Sequence, residues 1–232
     1  MPLERHEFDD PEALAKALAA QVAAAVRDQI AAIGNAGLAV SGGSTPARFL
    51  SHLAISDLDW SKVTVTLVDE RWVAEASPRS NARMVRERLL IGGAEDATFM
   101  PLYEDGLDIA AGARQAELRL TSVPRPFAAV VLGMGEDGHT ASWFADGDCL
   151  QAATDPTCSR SIVAMRATSA GEPRISLTLP VVLDTALLVL HIEGDSKRGV
   201  LERALQPGAV RAMPVRAVLR QNELPVDLYW CP

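Results

Sequence analysis

An apolar run leads directly into a glycine turn and a histidine at residues 127–144, which read FAAVVLGMGEDGHTASWF. The run Phe127–Leu132 has the length and composition of a buried strand, and the turn after it predicts the start of a helix. In open α/β proteins, loops at the carboxyl ends of strands build the functional sites. His139 is therefore expected at the carboxyl edge of a sheet, where Asp137 can orient its ring or stabilise its charge. This pattern favours acid–base chemistry on a small anionic ligand.

The glycines of this turn allow a second interpretation. Gly133, Gly135 and Gly138 match the G-x-G-x-x-G spacing of dinucleotide-binding loops, but this motif alone has low specificity. The acidic residues 136 and 137 would also place two carboxylates against a pyrophosphate. A close approach of the backbone to a small substrate explains the glycines better. A solvated, helix-capping role for His139 remains the simplest alternative to catalysis.

Strand-like and helix-like segments alternate along the rest of the chain. Asp10-Pro11 predicts a helix start and Gly34 its end, since a side-chain cap, a proline at the first position and a terminal glycine are typical helix boundaries. The predicted strands cover residues 38–40, 63–68, 128–132, 161–165, 174–178, 186–192 and 226–230. The predicted helices cover residues 11–33, 80–90, 108–120, about 197–205 and about 214–221, and another helix opens at Thr45-Pro46. Residues 69–71 are expected to form a charged turn.

This order of segments predicts the fold class. Strands that alternate with helices form a mostly parallel sheet covered on both faces. We therefore expect a single-domain α/β fold over residues 1–232, with a mainly parallel, doubly wound, Rossmann-like sheet and helices on both faces.

Composition limits the classes of function. The chain has 232 residues, of which 48% are hydrophobic, so it can bury a full core. Its net charge of −8 repels the phosphate backbone of nucleic acids. The three cysteines lack the spacing of a disulfide framework, and the sequence shows neither a signal peptide nor an apolar run of about 18 residues. We expect a soluble, cytoplasmic protein with no nucleic-acid, membrane or obligatory protein partner.

Three further segments place polar groups at strand ends or helix starts. Ser41-Gly42-Gly43-Ser44 offers backbone N–H groups ahead of a helix, which suits a phosphate monoester, although a structural turn also explains it. Asp69 and Arg71 have i, i+2 spacing, which points both side chains the same way in an extended segment; a mutual surface salt bridge is the alternative. Lys197 opens a helix after a strand, where it either approaches the same phosphate or lies exposed in the first turn.

The other histidines carry no ligand or catalytic motif. His191 lies in an apolar strand and is interpreted as a partly buried structural residue. His6 and His52 stand outside any pattern typical of a site. Because the sequence has no H-x-x-x-H, H-E-x-x-H or Cys/His cluster, we expect neither a protein-built metal site nor a cofactor.

Five segments have an order and spacing that are more specific than any single glycine loop. They are SGGSTP at 41–46, VDERWV at 68–73 with SN at 80–81, GMGEDGHTASWF at 133–144, RISLTLPVV at 174–182 and GDSK at 194–197. Together they resemble the 6-phosphogluconolactonase family. The resemblance implies hydrolysis of 6-phospho-D-glucono-1,5-lactone, a phosphorylated sugar lactone, to 6-phospho-D-gluconate. This reaction is the second step of the oxidative pentose phosphate pathway.

The resemblance also implies roles for particular positions. His139 corresponds to the family's catalytic histidine, which is thought to activate water, with Asp137 beside it. Asp69 and Arg71 match the family's D-x-R pair. The positions that match its phosphate-side loop and its basic residues near the phosphate are Gly42, Gly43, Ser44, Arg174 and Lys197.

The chain departs from the family pattern at two places. The family usually continues HTAS with Leu-Phe-Pro, whereas this chain has Trp143-Phe144-Ala145, so the pocket wall is expected to differ. His191 stands where the family tends to have an apolar residue.

Two alternative functions differ from the lactonase interpretation in particular features. Glucosamine-6-phosphate deaminases share the G-x-G-x-D-G-H signature. Resemblance to them would require a tyrosine where this chain has Arg71 and a ring-opening glutamate where it has Phe144. A non-catalytic sugar-phosphate sensor would normally carry a DNA-binding module and needs no water-activating histidine.

Overall fold

A computed structural model describes residues 3–232, in which seven parallel strands form the main sheet. In spatial order these strands are β1 (Leu3–Glu7), β10 (Val226–Cys231), β9 (Thr185–Glu193), β6 (Phe127–Leu132), β2 (Ala36–Val40), β3 (Val63–Leu67) and β5 (Thr98–Met100). A second, antiparallel sheet orders β4 (Asp69–Arg71), β8 (Arg174–Leu177) and β7 (Ile162–Met165). The expected α/β fold with a mainly parallel sheet flanked by helices is confirmed.

Eight α-helices connect the strands within the described residues. They are α1 (Pro11–Ile33), α2 (Pro46–Ala54), α3 (Asn81–Arg88), α4 (Ile109–Leu120), α5 (Leu150–Thr154), α6 (Leu179–Leu183), α7 (Asp195–Leu205) and α8 (Arg216–Leu219). None of the helices in this part of the chain has both the length and the apolar character needed to cross a membrane.

The boundaries of α1 form as the sequence predicts. The side chain of Asp10 accepts hydrogen bonds from the backbone N–H groups of Glu12 and Ala13, both at 2.8 Å. Gly34 ends the helix in the left-handed region, with φ of 87°. The helix lies over the sheet, whose central strands β2 and β6 are buried at every residue. Burial on both faces is typical of a parallel sheet and explains why these strands are apolar throughout.

The order of strands reverses between β2 and β6. From β2 the chain adds β3 and β5 on one side, then returns to place β6 on the other side of β2. The loops that follow β2 and β6 are joined there, because Ser41 N donates to Val131 O at 3.0 Å and Gly133 N donates to Ser41 Oγ at 3.2 Å. Such a reversal opens a crevice at the carboxyl ends of the strands.

Two expectations about local structure were wrong. Residues 69–71 form strand β4 instead of a turn, because they pair with β8 in the small antiparallel sheet. No helix begins directly after His139. The chain makes a turn with a bridge between Thr140 and Trp143, and the next helix starts at Leu150. Trp143 is fully buried there and its Nε1 donates to Leu177 O at 2.9 Å, so tertiary contacts determine this segment.

Candidate active site

The strand ends around the reversal surround a cavity of about 360 Å³. The structure brings eight of the nine predicted site residues to its wall: Gly42, Gly43, Ser44, Asp69, Arg71, His139, Arg174 and Lys197. Asp137, the ninth, does not line the cavity but contacts His139. The predicted positions therefore converge, although they are spread over 156 positions of the chain, from 42 to 197.

His139 and Asp137 form a hydrogen-bonded pair. Nδ1 of His139 lies 2.5 Å from Oδ1 of Asp137, and the same oxygen accepts the backbone N–H of His139 at 3.1 Å. The hydrogen bond to His139 lowers the pKa of Asp137 to about 2, against the opposing effect of partial burial. Ionised Asp137 favours the neutral tautomer that carries its proton on Nδ1, which leaves the Nε2 lone pair available as a base.

The glycines of this turn are required by the position of the histidine ring. A Cβ on Gly135 would lie 2.2 Å from both Cε1 and Nδ1 of His139 and 2.6 Å from Asp137 Oδ1. Gly138 has a φ of 80°, which favours glycine. The backbone closes the turn with a hydrogen bond from Gly135 N to His139 O at 2.8 Å. The turn therefore holds the Asp137–His139 pair, and no helix begins directly after it to receive a pyrophosphate.

Asp69 and Arg71 both face the cavity, as their i, i+2 spacing predicts. The carboxylate of Asp69 is almost fully buried and its Oδ2 accepts a hydrogen bond from Ser142 Oγ at 2.5 Å. Within residues 3–232, Asp69 and Arg71 form no ion pair with each other. The alternative of a mutual surface salt bridge is therefore wrong.

Glu70 lies between Asp69 and Arg71 in the sequence, and its hydrogen bonds stabilise the fold. It is fully buried and accepts hydrogen bonds from the backbone N–H groups of Arg71, Asn81 and Ala82 and from Ser80 Oγ. Burial raises its pKa, although these hydrogen bonds oppose the shift. It joins β4 to the start of α3. This role was not predicted from the sequence, because one carboxylate in a charged triplet carries no signal of its distant partners.

Two arginines lie on neighbouring strands at the cavity wall. Arg71 and Arg174 are direct cross-strand partners of β4 and β8. The side chain of Arg174 is only 12% exposed, and burial, followed by the charge of Arg71, lowers its pKa. Nε of each arginine is buried without a hydrogen-bond partner among the described residues. Two adjacent cations with unused donors are suited to an anion.

The glycine loop and Lys197 also lie at the cavity wall. Gly42 packs against Asn81, since a Cβ on Gly42 would lie 1.9 Å from Asn81 Oδ1. The loop leads into α2, where backbone N–H groups at the helix start favour anions. Lys197 lies in the first turn of α7 and its Nζ donates to Met134 O at 2.6 Å. Lys197 is therefore held at the cavity instead of extending into solvent.

Among the cavity residues that were not selected from the sequence as contributors to the site, three have informative contacts or positions. Asn81 donates from Nδ2 to Asp69 O at 2.9 Å and supports both the loop and β4. Phe144 places its ring 4.5 Å from the His139 ring and forms part of the pocket wall, whereas the two residues that depart from the family pattern, Trp143 and Ala145, do not line the cavity. Glu193 ends β9 and also lines the cavity. The i, i+2 spacing of His191 and Glu193 at the end of a predicted strand was the sequence signal that could have identified Glu193 as a cavity residue.

His191 is more buried than expected, with a relative exposure of 2%. Its Nε2 lies 3.2 Å from Glu193 Oε1, within ion-pair distance, but neither ring nitrogen has a hydrogen bond of acceptable geometry in the described chain. The ring packs edge-on against Phe49 at 6.4 Å. His191 therefore has the burial expected of a structural residue, although it also lines the cavity.

Comparison with known proteins identifies the family to which this chain belongs. The sequence profile described as glucosamine-6-phosphate isomerases/6-phosphogluconolactonase matches residues 9–230. The chain belongs to this family. A 6-phosphogluconolactonase of Rhizobium meliloti (strain 1021) is 49% identical over 232 residues, covering 100% of both chains. One of Mesorhizobium japonicum is 47% identical and covers 97% of this chain and 94% of the relative.

The solved structures of the family agree with this fold. A 6-phosphogluconolactonase from Shewanella baltica OS155 superimposes with a TM-score of 0.96 at 42% sequence identity, covering 100% of this chain and 98% of that one. The family membership and the cavity at the strand reversal therefore direct attention to sugar phosphates as ligands.

Proposed function

We propose that this protein is a 6-phosphogluconolactonase, which hydrolyses 6-phospho-D-glucono-1,5-lactone to 6-phospho-D-gluconate in the oxidative pentose phosphate pathway. The observation that carries the proposal is the Asp137–His139 pair in one cavity with Arg71, Arg174 and Lys197. A base beside several cations suits a substrate that is both an ester and an anion. The full-length relatives at 49% and 47% identity bear the same name.

The cations and the glycine loop are proposed to bind the phosphate group. Backbone N–H groups at the start of α2 favour an anion, and Arg174 supplies donors that are buried. A phosphate would also relieve the repulsion between Arg174 and Arg71, which contributes to the lowered pKa of Arg174. The residues assigned to phosphate binding are Gly42, Gly43, Ser44, Arg174 and Lys197.

The hydrolysis begins with proton transfer to His139. Nε2 removes a proton from a water molecule as the water oxygen attacks the lactone carbonyl carbon. The carbonyl oxygen becomes an oxyanion, which Arg71 or nearby backbone donors stabilise. Asp137 favours the imidazolium that forms, because its carboxylate is ionised and hydrogen-bonded to Nδ1.

The ring of the tetrahedral intermediate then opens. The bond between the carbonyl carbon and the ring oxygen breaks, and the imidazolium returns its proton to that oxygen. The products are a free hydroxyl on the opened chain and a carboxylic acid, which ionises at neutral pH. Asp69, held by Ser142, is assigned to positioning the substrate or the water.

Two residues argue against amino-sugar-phosphate deaminase or isomerase chemistry. Phe144 packs its ring 4.5 Å from His139 at the position where that chemistry requires a ring-opening glutamate. Arg71 occupies the position of a tyrosine in the deaminase pattern. A non-catalytic sugar-phosphate sensor is the other alternative, and it would bind the lactone without turning it over.

The test follows acid release from freshly prepared lactone, with the spontaneous hydrolysis subtracted. The wild-type protein should accelerate hydrolysis, and His139→Asn should reduce kcat by about 10²–10⁴-fold with KM largely unchanged. His52→Asn is a matched control, because His52 also pairs with a carboxylate, Glu12, at 2.9 Å but does not line this cavity.

Each outcome assigns the function differently. Lactone binding without acceleration by the wild-type protein would support the sensor, and ammonia release from glucosamine 6-phosphate would support the deaminase. Wild-type turnover in His139→Asn would exclude His139 as the essential base. A change in KM alone would reassign His139 to binding.

We further propose that residues 1–232 act as one lactonase domain and that the enzyme works in the cytoplasm. The three cysteines are free thiols, as is usual in a reducing compartment.

A further inference from the structure

A second group of chemically reactive side chains lies on strands β1 and β10, away from the catalytic cavity. Glu4 and His6 have i, i+2 spacing on β1, so their side chains lie on one face of the sheet. Asp227 of β10 is the direct cross-strand neighbour of Glu4. One oxygen or nitrogen of each side chain lies within 4.8 Å of the corresponding atoms of the other two.

The histidine of this group is held in place by its neighbours. Nε2 of His6 lies 2.6 Å from Oδ1 of Asp227. The His6 ring stacks on Tyr229 with centroids 4.6 Å apart, and Tyr229 stacks in turn on Phe8 at 5.7 Å. The side chain of Asp227 is only 13% exposed. Two of the three groups therefore have a restricted orientation before any ligand binds.

Apart from His6 itself, no basic side chain of the described residues pairs with the carboxylates of this group. Within residues 3–232, neither Glu4 nor Asp227 forms an ion pair with lysine or arginine, and the side chain of Glu4 has no hydrogen-bond partner. Arg5 lies on the other face of β1 and pairs with Glu202 at 3.0 Å. Two carboxylates and one imidazole thus form an anionic cluster that attracts a cation.

We propose that Glu4, His6 and Asp227 bind a divalent transition-metal ion, with Zn²⁺ as the best fit. Imidazole nitrogen and carboxylate oxygen are ordinary zinc ligands at about 2.0–2.2 Å, and three protein ligands leave a fourth, water-occupied position. Calcium and magnesium prefer all-oxygen sites, so the imidazole disfavours them. The expectation of no protein-built metal site considered motifs along the chain, whereas these ligands come from two strands near opposite ends of the sequence.

The role of this site is to fasten an edge strand. β1 is at the edge of the main sheet and pairs only with β10 among the described strands. A metal that replaces the hydrogen-bonded proton between His6 Nε2 and Asp227 Oδ1, and that also binds Glu4, crosslinks these two strands and releases that proton to solvent. It binds only the folded arrangement. Such a ligand raises the thermal stability of the protein in proportion to its affinity and concentration. None of the three residues lines the catalytic cavity, so lactone hydrolysis does not depend on them.

The test is titration of the chelator-treated full-length protein with ZnCl₂ by calorimetry, together with thermal unfolding in the presence and absence of Zn²⁺. We expect one Zn²⁺ per chain and a rise in Tm on binding. His6→Gln and Asp227→Asn should each weaken binding by at least about tenfold and reduce the rise in Tm. Glu4→Gln is a further variant with little risk to folding, because Glu4 is exposed and makes no contact that the fold requires.

His52→Gln is the matched control, since His52 and Glu12 form a surface histidine–carboxylate pair at 2.9 Å without a third ligand in the described residues. It should bind Zn²⁺ as the wild type does. Equal binding by the wild type and by both His6→Gln and Asp227→Asn would overturn the proposal, as would the absence of saturable binding to the wild type. Unchanged lactone hydrolysis in all of these variants would show that they are folded.

Discussion

Oδ1 of Asp137 contacts both the ring Nδ1 and the backbone N–H of His139, at 2.5 Å and 3.1 Å. One carboxylate oxygen therefore fixes the orientation of the ring and the position of the chain that carries it. The pKa of Asp137, lowered to about 2 by its hydrogen bond to His139, keeps this carboxylate ionised over the whole physiological range.

Asp137→Asn should reduce kcat because the amide cannot stabilise the imidazolium as an ionised carboxylate does. We expect a loss of at least about tenfold, up to the 10²–10⁴-fold of His139→Asn. In the wild type, the low pKa of Asp137, about 2, predicts that this carboxylate adds no protonation step to the pH profile of kcat near neutral pH. The pH profile of kcat for both proteins measures this, and a protonation step above about pH 3 that is present in the wild type and absent from Asp137→Asn would contradict it.

Asp137 should also link stability to pH. Because its pKa is lower in the folded chain than in the unfolded chain, its contribution is complete above its ordinary pKa and is lost as the pH falls toward about 2. The difference in unfolding free energy between wild type and Asp137→Asn should therefore be greatest near neutral pH and shrink in acid. Urea unfolding at several pH values tests this, and a difference that grows in acid would refute the linkage.

Gly135→Ala should impair catalysis more than stability. The new Cβ would lie 2.2 Å from the His139 ring and 2.6 Å from the Asp137 carboxylate, so this pair must move. Both side chains are partly exposed and can shift without disrupting the core. We expect a fall in kcat of about tenfold or more with a Tm close to wild type. Gly93→Ala, where a Cβ meets nothing within 4 Å, is the control for the substitution itself.

Lys197→Ala should weaken binding of the phosphorylated substrate. A hydrogen bond to a charged group contributes about 1.5–3 kcal/mol, which corresponds to a rise in KM of about tenfold to a hundredfold. Lys62→Ala is a suitable control, because Lys62 is half exposed and pairs with Asp59 at 2.8 Å outside the cavity. An unchanged KM in folded Lys197→Ala would remove this residue from the phosphate site.

His191→Leu should stabilise the protein. The His191 ring is 2% exposed and neither nitrogen has a hydrogen bond of acceptable geometry, while leucine suits the surrounding apolar strand. The cost of a buried, unpaired polar group predicts a gain of about 1–3 kcal/mol in unfolding free energy, measured by urea unfolding. Destabilisation would instead mean that attraction between His191 and Glu193 outweighs this cost. Because His52 has a carboxylate partner, His52→Leu should give no such gain.

Local chemistry determined much of this protein directly from the sequence. The apolar run 127–132, the helix start at Asp10-Pro11 and the glycine at 34 were placed correctly. Each depends on preferences of neighbouring residues, which a short stretch of chain already contains. Most candidate site positions also came from the sequence, because glycine turns and charged residues follow strands whose carboxyl ends meet at one edge, whereas Arg174 was assigned from the family resemblance alone.

Only the tertiary structure decided how distant segments use these residues. Strand β4 exists because it pairs with β8, more than 100 positions further along the chain, and this pairing puts Arg71 beside Arg174. The turn after His139 replaced the expected helix because Trp143 is buried against Leu177. Glu4 and His6 meet Asp227 through the pairing of β1 with β10. Burial and cross-strand pairing depend on contacts between residues far apart in sequence, and local patterns do not encode those contacts.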